Sequence, residues 1–121
     1  MDKRLLGRFG EAKAAEALRR KGWKILAMNF TTRFGEVDII CENRSFLVFA
    51  EVKLRKNADF AEAREFVTRH KQQKVILAAE QWLQQHPTKK QPRFDVIEVY
   101  APHGVEGDVE IRHWENAFDA M

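Results

Sequence analysis

Two carboxylates and an amine stand inside the apolar strands of GEVDIICENRSFLVFAEVKLR, residues 35–55: Asp38, Glu51 and Lys53, with Glu36 just ahead of them. A strand turns successive side chains to opposite faces, so Glu36 shares a face with Asp38 and Glu51 shares one with Lys53. The segment reads as a hairpin turning at Asn43-Arg44. That turn leaves Asp38 and Glu51 at comparable distances from it, as neighbours on adjacent strands. Facing like charges destabilise a strand pair, and a buried unpaired carboxylate costs more. A divalent cation removes both penalties. The hard oxygens of Asp and Glu suit Mg²⁺ or Mn²⁺, with water filling the remaining positions. Lys53 beside such a site can orient or deprotonate a water and offset charge growing on a phosphate, while the cation polarises a phosphoryl oxygen. The set is sufficient to hydrolyse a phosphodiester. The competing reading is a Glu51–Lys53 ion pair on an edge strand, where charge guards against aggregation. The run FLVFA before Glu51, apolar on both faces, speaks for a central strand.

Other residues can support this chemistry. Glu11 shares a helix face with Gly7, Ala15 and Leu18, small neighbours that let the helix approach a sheet. It reads as a further metal ligand or as a solvated helix glutamate. Val67, Lys71, Val75, Ala78 and Trp82 form one helical stripe, apolar except for Lys71. Lys71 either snorkels to solvent or reaches the site and holds a phosphate. Asp95 is a further carboxylate within a strand, between Phe94 and Val96. Trp23, Trp82 and Trp114 read as packing residues.

The elements that must position these groups follow from periodicity and breakers. Residues 3–21 form a helix ended by Gly22. Strands follow at 23–30, 36–42 and 45–55. Residues 57–65 are a polar loop running into the start of a helix over 66–85, which stops near His86-Pro87. Strands at 93–100 and 109–114 flank a turn rich in Gly and Pro, and ENAFDAM is a tail. The order α-β-β-β-α-β-β predicts an α/β domain, a mixed β-sheet flanked by helices, spanning 1–121.

Composition agrees with a packed soluble chain. Of 121 residues, 45% are hydrophobic and 32% charged, enough apolar content for a core. No apolar run approaches ~18 residues, so no membrane span is expected. The charged N-terminal stretch lacks the apolar middle of a signal peptide. One cysteine, Cys41, excludes an internal disulfide and points to the cytoplasm, and the scarcity of Cys and His argues against a zinc site. Net charge is only +3, but residues 1–33 carry nine Lys/Arg against three Asp/Glu. A second basic group runs from Arg69 through Lys71 to Lys74. Such clusters attract phosphate backbones or simply form solvated helix faces.

GEVDII followed by LVFAEVKLR resembles the PD-(D/E)xK nuclease superfamily, which includes restriction endonucleases and archaeal Holliday-junction resolvases. The ordered set GRFGEAKAAEAL, GWKILAMNF, GEVDII, FAEVKLR, VTRHKQQK, RFDVIEV and IRHWENAF is similar to the YraN family of small bacterial proteins across nearly the whole chain. The resemblance implies a restriction-endonuclease-like core and a Mg²⁺ or Mn²⁺ site of Asp38 and Glu51, with the Val52 carbonyl as a further ligand. It implies Lys53 as the catalytic lysine and matches Glu11 to a helix glutamate of resolvase-like members. Lys71 falls on a lysine of the family pattern, and Glu36 falls on a family position. Val37 stands where the superfamily has proline. The expected function is a metal-dependent nuclease acting on DNA, including branched or damaged structures, with Arg8, Arg69, Lys71 and Lys74 on phosphates and a homodimer as one assembly. The alternatives are a nucleic-acid-binding module that keeps the fold without catalysis, and a protein-interaction subunit.

Overall fold

The computed structural model describes residues 2–56 and 67–120. The expected loop at 57–65 lies outside the described residues. Helix α1, Lys3–Arg20, is built from Ala, Leu, Arg, Lys and Glu, all good helix formers. Asp2 caps it by accepting the Leu5 N–H at 2.9 Å. It ends at Lys21 and Gly22, whose φ of 93° is the left-handed geometry of a helix stop. Strands β1 (Lys24–Thr31), β2 (Glu36–Glu42) and β3 (Phe46–Arg55) follow. Helix α2, Arg69–Gln85, begins three residues later than the periodicity suggests. Thr68 caps it by accepting the Lys71 N–H, so Val67 sits ahead of the helix while still being buried. Strand β4 is Gln91–Tyr100, and β5 is Glu110–Phe118 after a short 3-10 turn at Gly104–Glu106.

The five strands lie in the order β1-β2-β3-β4-β5. All neighbours are antiparallel except β3 and β4, which run parallel and are joined through α2. The mixed α/β sheet flanked by helices is therefore as expected. One apolar cluster lies under α1, with Ala14, Ala15, Leu18, Ile39, Val48, Ala50 and Ile97. The other lies under α2, with Ile40, Phe49, Val75, Ala78, Trp82, Phe94 and Val96. Phe49 and Phe94 are fully or nearly fully buried on adjacent central strands. Gly7, expected on the inward face of α1, is exposed; the inward face is made by Gly10, Ala14, Ala15 and Leu18.

The expected tail is not a tail. β5 continues through Glu115, Asn116 and Ala117 to Phe118. A register shift opposite Phe94 and Val96 absorbs Asn116, which takes φ 52°. Its N–H donates to Asp95 Oδ1 at 2.9 Å, and the Phe118 ring stacks on Phe94 at 5.2 Å. The bulge interrupts the alternating pattern, which is why the expected strand stops at Trp114.

Candidate active site at the fork of the central strands

The functional side chains gather where β2 and β3 part. Their pairing runs from Glu42↔Leu47 to Ile39↔Ala50 and goes no further. Beyond that point β2 stays with β1 as far as Glu36, and β3 stays with β4 as far as Arg55. The sheet thus forks, and the next two residues at its crotch are Asp38 and Glu51. Asp38 Oδ2 accepts the Val52 N–H at 2.8 Å, so its carboxylate replaces the ladder hydrogen bond that the fork removes. The side-chain alternation of β2 also breaks here. Val37 packs with the cluster under α2, and Ile39 packs with the cluster under α1. Asp38 consequently stands where helices on both faces can approach it.

Glu51 is fully buried. Neither of its oxygens accepts a well-formed hydrogen bond, although the Lys71 ammonium lies 3.3 Å from Oε2. Burial, and then the charge of Asp38, push its carboxyl up to about 8 against the opposing pull of Lys71. The competing reading, an edge-strand pair of Glu51 with Lys53, fails: β3 is the middle strand of the sheet, as its apolar run suggests, and the cation on Glu51 is Lys71, delivered by α2. Lys71 is half-exposed. Burial disfavours its charge, but Glu51 and Asp38 more than offset that and raise its pKa. Lys53 is half-buried two residues beyond Glu51. Burial, then the neighbouring cation Lys71, hold it below the ordinary lysine value despite Glu51 and Asp38.

Glu11 arrives from α1. Burial raises its carboxyl, a hydrogen bond with Asn29 pulls it down, and Asp38 raises it again. Asn29 was not a predicted site residue. It sits in β1 with φ 54°, a conformation that Asn tolerates better than other non-glycine residues. A lone Asn in the strand KILAMNFT is the signal that marked it. Glu36 is exposed at the lip, where it lines a cleft together with Lys71. The cleft, of about 630 Å³, lies between residues 31–36 and the start of α2, and Lys74 and His70 line it too. Arg8 and Arg69 are exposed and outside that lining.

The donor set fits a divalent cation of the magnesium type. Two carboxylates face one another, one of them buried with both oxygens lacking hydrogen bonds, which is the environment a hard cation relieves. Among the described residues no group of three or more His, Cys, Asp or Glu is placed to hold a metal ion, so Glu11 does not join Asp38 and Glu51 as a third ligand in this arrangement. Mg²⁺ is ordinarily held by one or two carboxylates with water and substrate phosphates around the rest, so an open pair suffices. Val52 turns its N–H to Asp38 and so orients that carboxylate.

Asp95 and Glu98 are buried carboxylates outside this site. Asp95 accepts from Arg93 Nε and Nη2 at 2.9 Å each and contacts His113 Nε2 at 2.6 Å, with Arg93 lying over the Trp23 and Phe46 rings. Glu98, paired in register with Lys53, accepts from the Tyr100 hydroxyl and Trp114 Nε1. No described helix is long and apolar enough to cross a membrane.

Residues 10–99 match the family described as "Uncharacterised protein family UPF0102". A UPF0102 protein of Caldanaerobacter subterraneus is 40% identical over 119 residues, covering 98% of each chain. One of Caldicellulosiruptor saccharolyticus is 42% identical over 120 residues, covering 98% of this chain and all of that one. One of Syntrophotalea carbinolica is 43% identical over 115 residues, covering 94% of this chain and 91% of the other.

Proposed function

The chain belongs to the uncharacterised protein family UPF0102, and from the site it carries we propose that it is a divalent-metal-dependent nuclease hydrolysing phosphodiester bonds in DNA. The observation that supports this most is Glu51: a fully buried carboxyl facing Asp38, without a formed hydrogen bond, at the open end of a forked sheet. A purely structural role would give such a group hydrogen bonds in addition to the Lys71 ammonium 3.3 Å away, or replace it. Asp38 and Glu51 would hold Mg²⁺ or Mn²⁺, and Glu11, whose carboxyl feels the Asp38 charge, would act through a water. The chemistry such a cation supplies is acidification of water and polarisation of a phosphoryl oxygen.

The protein's own groups do the rest. Val52 fixes the Asp38 carboxylate by its N–H. Lys53, held below the ordinary lysine value by burial and then by Lys71, would orient or deprotonate the attacking water. Lys71, its ammonium 3.3 Å from Glu51 Oε2, is the cation nearest the fork on α2 and would meet a substrate phosphate. Arg8, Arg69, Lys71 and Lys74 are the proposed phosphate contacts, independent of base sequence and sensitive to salt.

Cleavage of single-stranded, duplex, flap and four-way DNA, and of RNA, is measured with Mg²⁺ and with Mn²⁺. Metal-dependent cleavage of DNA by wild type, lost in Asp38→Ala and in Lys53→Ala, is the expected result. Identical behaviour of wild type and both variants on every substrate would sink the nuclease reading. Binding without cleavage would leave the non-catalytic module.

A further inference from the structure

The turn between β1 and β2 is built to present one aromatic ring. Phe34 is 51% exposed, although large apolar side chains are ordinarily withdrawn from water. Its backbone is held fast. The Thr32 N–H donates to the Gly35 carbonyl at 2.8 Å, and Thr32 Oγ1 accepts the N–H of Phe34 at 3.1 Å and of Gly35 at 3.2 Å. Gly35 seats the turn on α2 so closely that a Cβ there would lie 2.1 Å from the Lys74 carbonyl oxygen. Phe34 is therefore an exposed ring on a rigid mount. The Arg33 guanidinium lies 5.3 Å from the ring centroid and gives the tip a cation as well.

The cleft behind this tip has the complementary chemistry. Arg33, Lys71, Lys74 and His70 line it, against one carboxylate, Glu36. Arg33 and Lys74 have no carboxylate partner among the described residues. The cleft also leads to the fork, because Lys71 lines it and lies 3.3 Å from Glu51. An aromatic face beside a cationic groove is the pairing that binds unpaired nucleic acid: bases stack on the ring, and the groove follows the backbone. Bases inside a duplex are already stacked on each other and have no free face to offer.

We propose that the cleft between the β1–β2 turn and α2 binds an unpaired DNA strand, with Phe34 stacking on a base and Arg33 and Lys74 on its phosphates. Substrates with a single-stranded segment beside the scissile bond are then preferred. This rests on the nuclease reading for what happens at the fork, but the binding step does not.

The test is binding in EDTA, where no cleavage occurs. The probes are a single-stranded DNA oligonucleotide carrying 2-aminopurine, its RNA equivalent and a blunt duplex of the same length. Wild type is expected to bind single-stranded DNA more tightly than duplex and to change the 2-aminopurine emission on binding. Phe34→Ala is expected to weaken single-strand binding about tenfold, abolish the emission change and leave duplex affinity alone; Phe34→Tyr should restore both the affinity and the emission change. Because Phe34 is exposed, Phe34→Ala should keep the circular dichroism spectrum of wild type. The proposal is overturned by equal single-strand affinities of wild type and Phe34→Ala, by a preference for RNA, or by a change of oligomeric state in Phe34→Ala. Phe34-dependent binding together with cleavage that ignores Asp38→Ala would keep this proposal and remove the nuclease reading.

Discussion

At Glu51, electrostatics predicts a trade between stability and function. Its carboxyl, pushed up to about 8 by burial and then by Asp38, keeps in the folded protein a proton that the unfolded chain releases near 4.5. The stability this contributes is fully present below about pH 4.5 and is lost as pH rises to about 8. Metal-free wild type should therefore become less heat-stable across that window. Glu51→Gln keeps the shape without the charge, so its melting temperature should be flatter with pH and higher than wild type at pH 8. If Mn²⁺ binds at the fork as proposed, it should stabilise wild type and leave this variant unchanged. Calorimetry in EDTA and then in Mn²⁺ reads both effects; matching pH slopes in the two proteins would show that the slope has another source. Lys53 belongs to the same balance. Lys53→Met should fold normally, since burial already disfavours the ammonium there and the methionine keeps the apolar stem, yet it should lose the proposed DNA cleavage.

Elements set which of these residues meet, and two of them can be tested separately. Gly35→Ala places a methyl against the Lys74 carbonyl, a contact no rotamer can relieve. The β1–β2 turn must lift from α2, and we expect a loss of about 1–3 kcal/mol in urea unfolding together with weaker single-strand binding. Asp95 holds the far edge. Burial raises its carboxyl, but hydrogen bonds from His113, Arg93 and the Asn116 N–H outweigh this and lower it. That stability is present above the ordinary aspartate value and is lost as pH falls through the lowered one. Asp95→Ala would strand the nearly buried Arg93 and release the end of β5, at a cost of about 3–5 kcal/mol, and should abolish the wild-type loss of stability in acid. The sequence carried the hairpin well. Its apolar parity marked both strands, and the stripe on α2 flagged Lys71, but the turn is wider than the expected Asn43-Arg44. A turn closed there would set Glu36 opposite Glu51, whereas Asn43 Oδ1 accepts the N–H of Ser45 and Phe46 and the Glu42↔Leu47 register brings Asp38 there. What it could not carry is the fork, because the point where β2 leaves β3 depends on which partner each strand keeps. The β5 bulge at Asn116 was hidden because it breaks the period from which strands are read, and the left-handed φ of Asn29 because the strand register runs unbroken across it. Phe34 looked like ordinary apolar content until the turn was seen to be clamped beneath it.

Over the whole molecule, a net charge of +3 is too small to govern binding, so the position of each cation decides its effect. Arg33 and Lys74 border the cleft, whereas Arg19 and Lys21 lie at the far end of α1. Arg19 is eight residues beyond Glu11, about 12 Å along the helix axis. The screening length is about 10 Å at 0.1 M salt, so Arg19 and Lys21 should speed encounter at low salt and do little at physiological salt. Arg33 and Lys74 should contribute at every salt concentration, because each releases counterions when it meets a phosphate. Single-strand affinity in EDTA, measured by anisotropy from low to physiological salt, separates the two groups. Arg33→Ala/Lys74→Ala should bind more weakly throughout, with the slope of log K against log salt shallower by about 0.7 for each phosphate that is no longer neutralised. Arg19→Gln/Lys21→Gln should converge on wild type as salt rises. Parallel lines for wild type and the cleft variant would mean that Arg33 and Lys74 do not touch phosphates. The basic surface would then steer DNA toward the fork without holding it there.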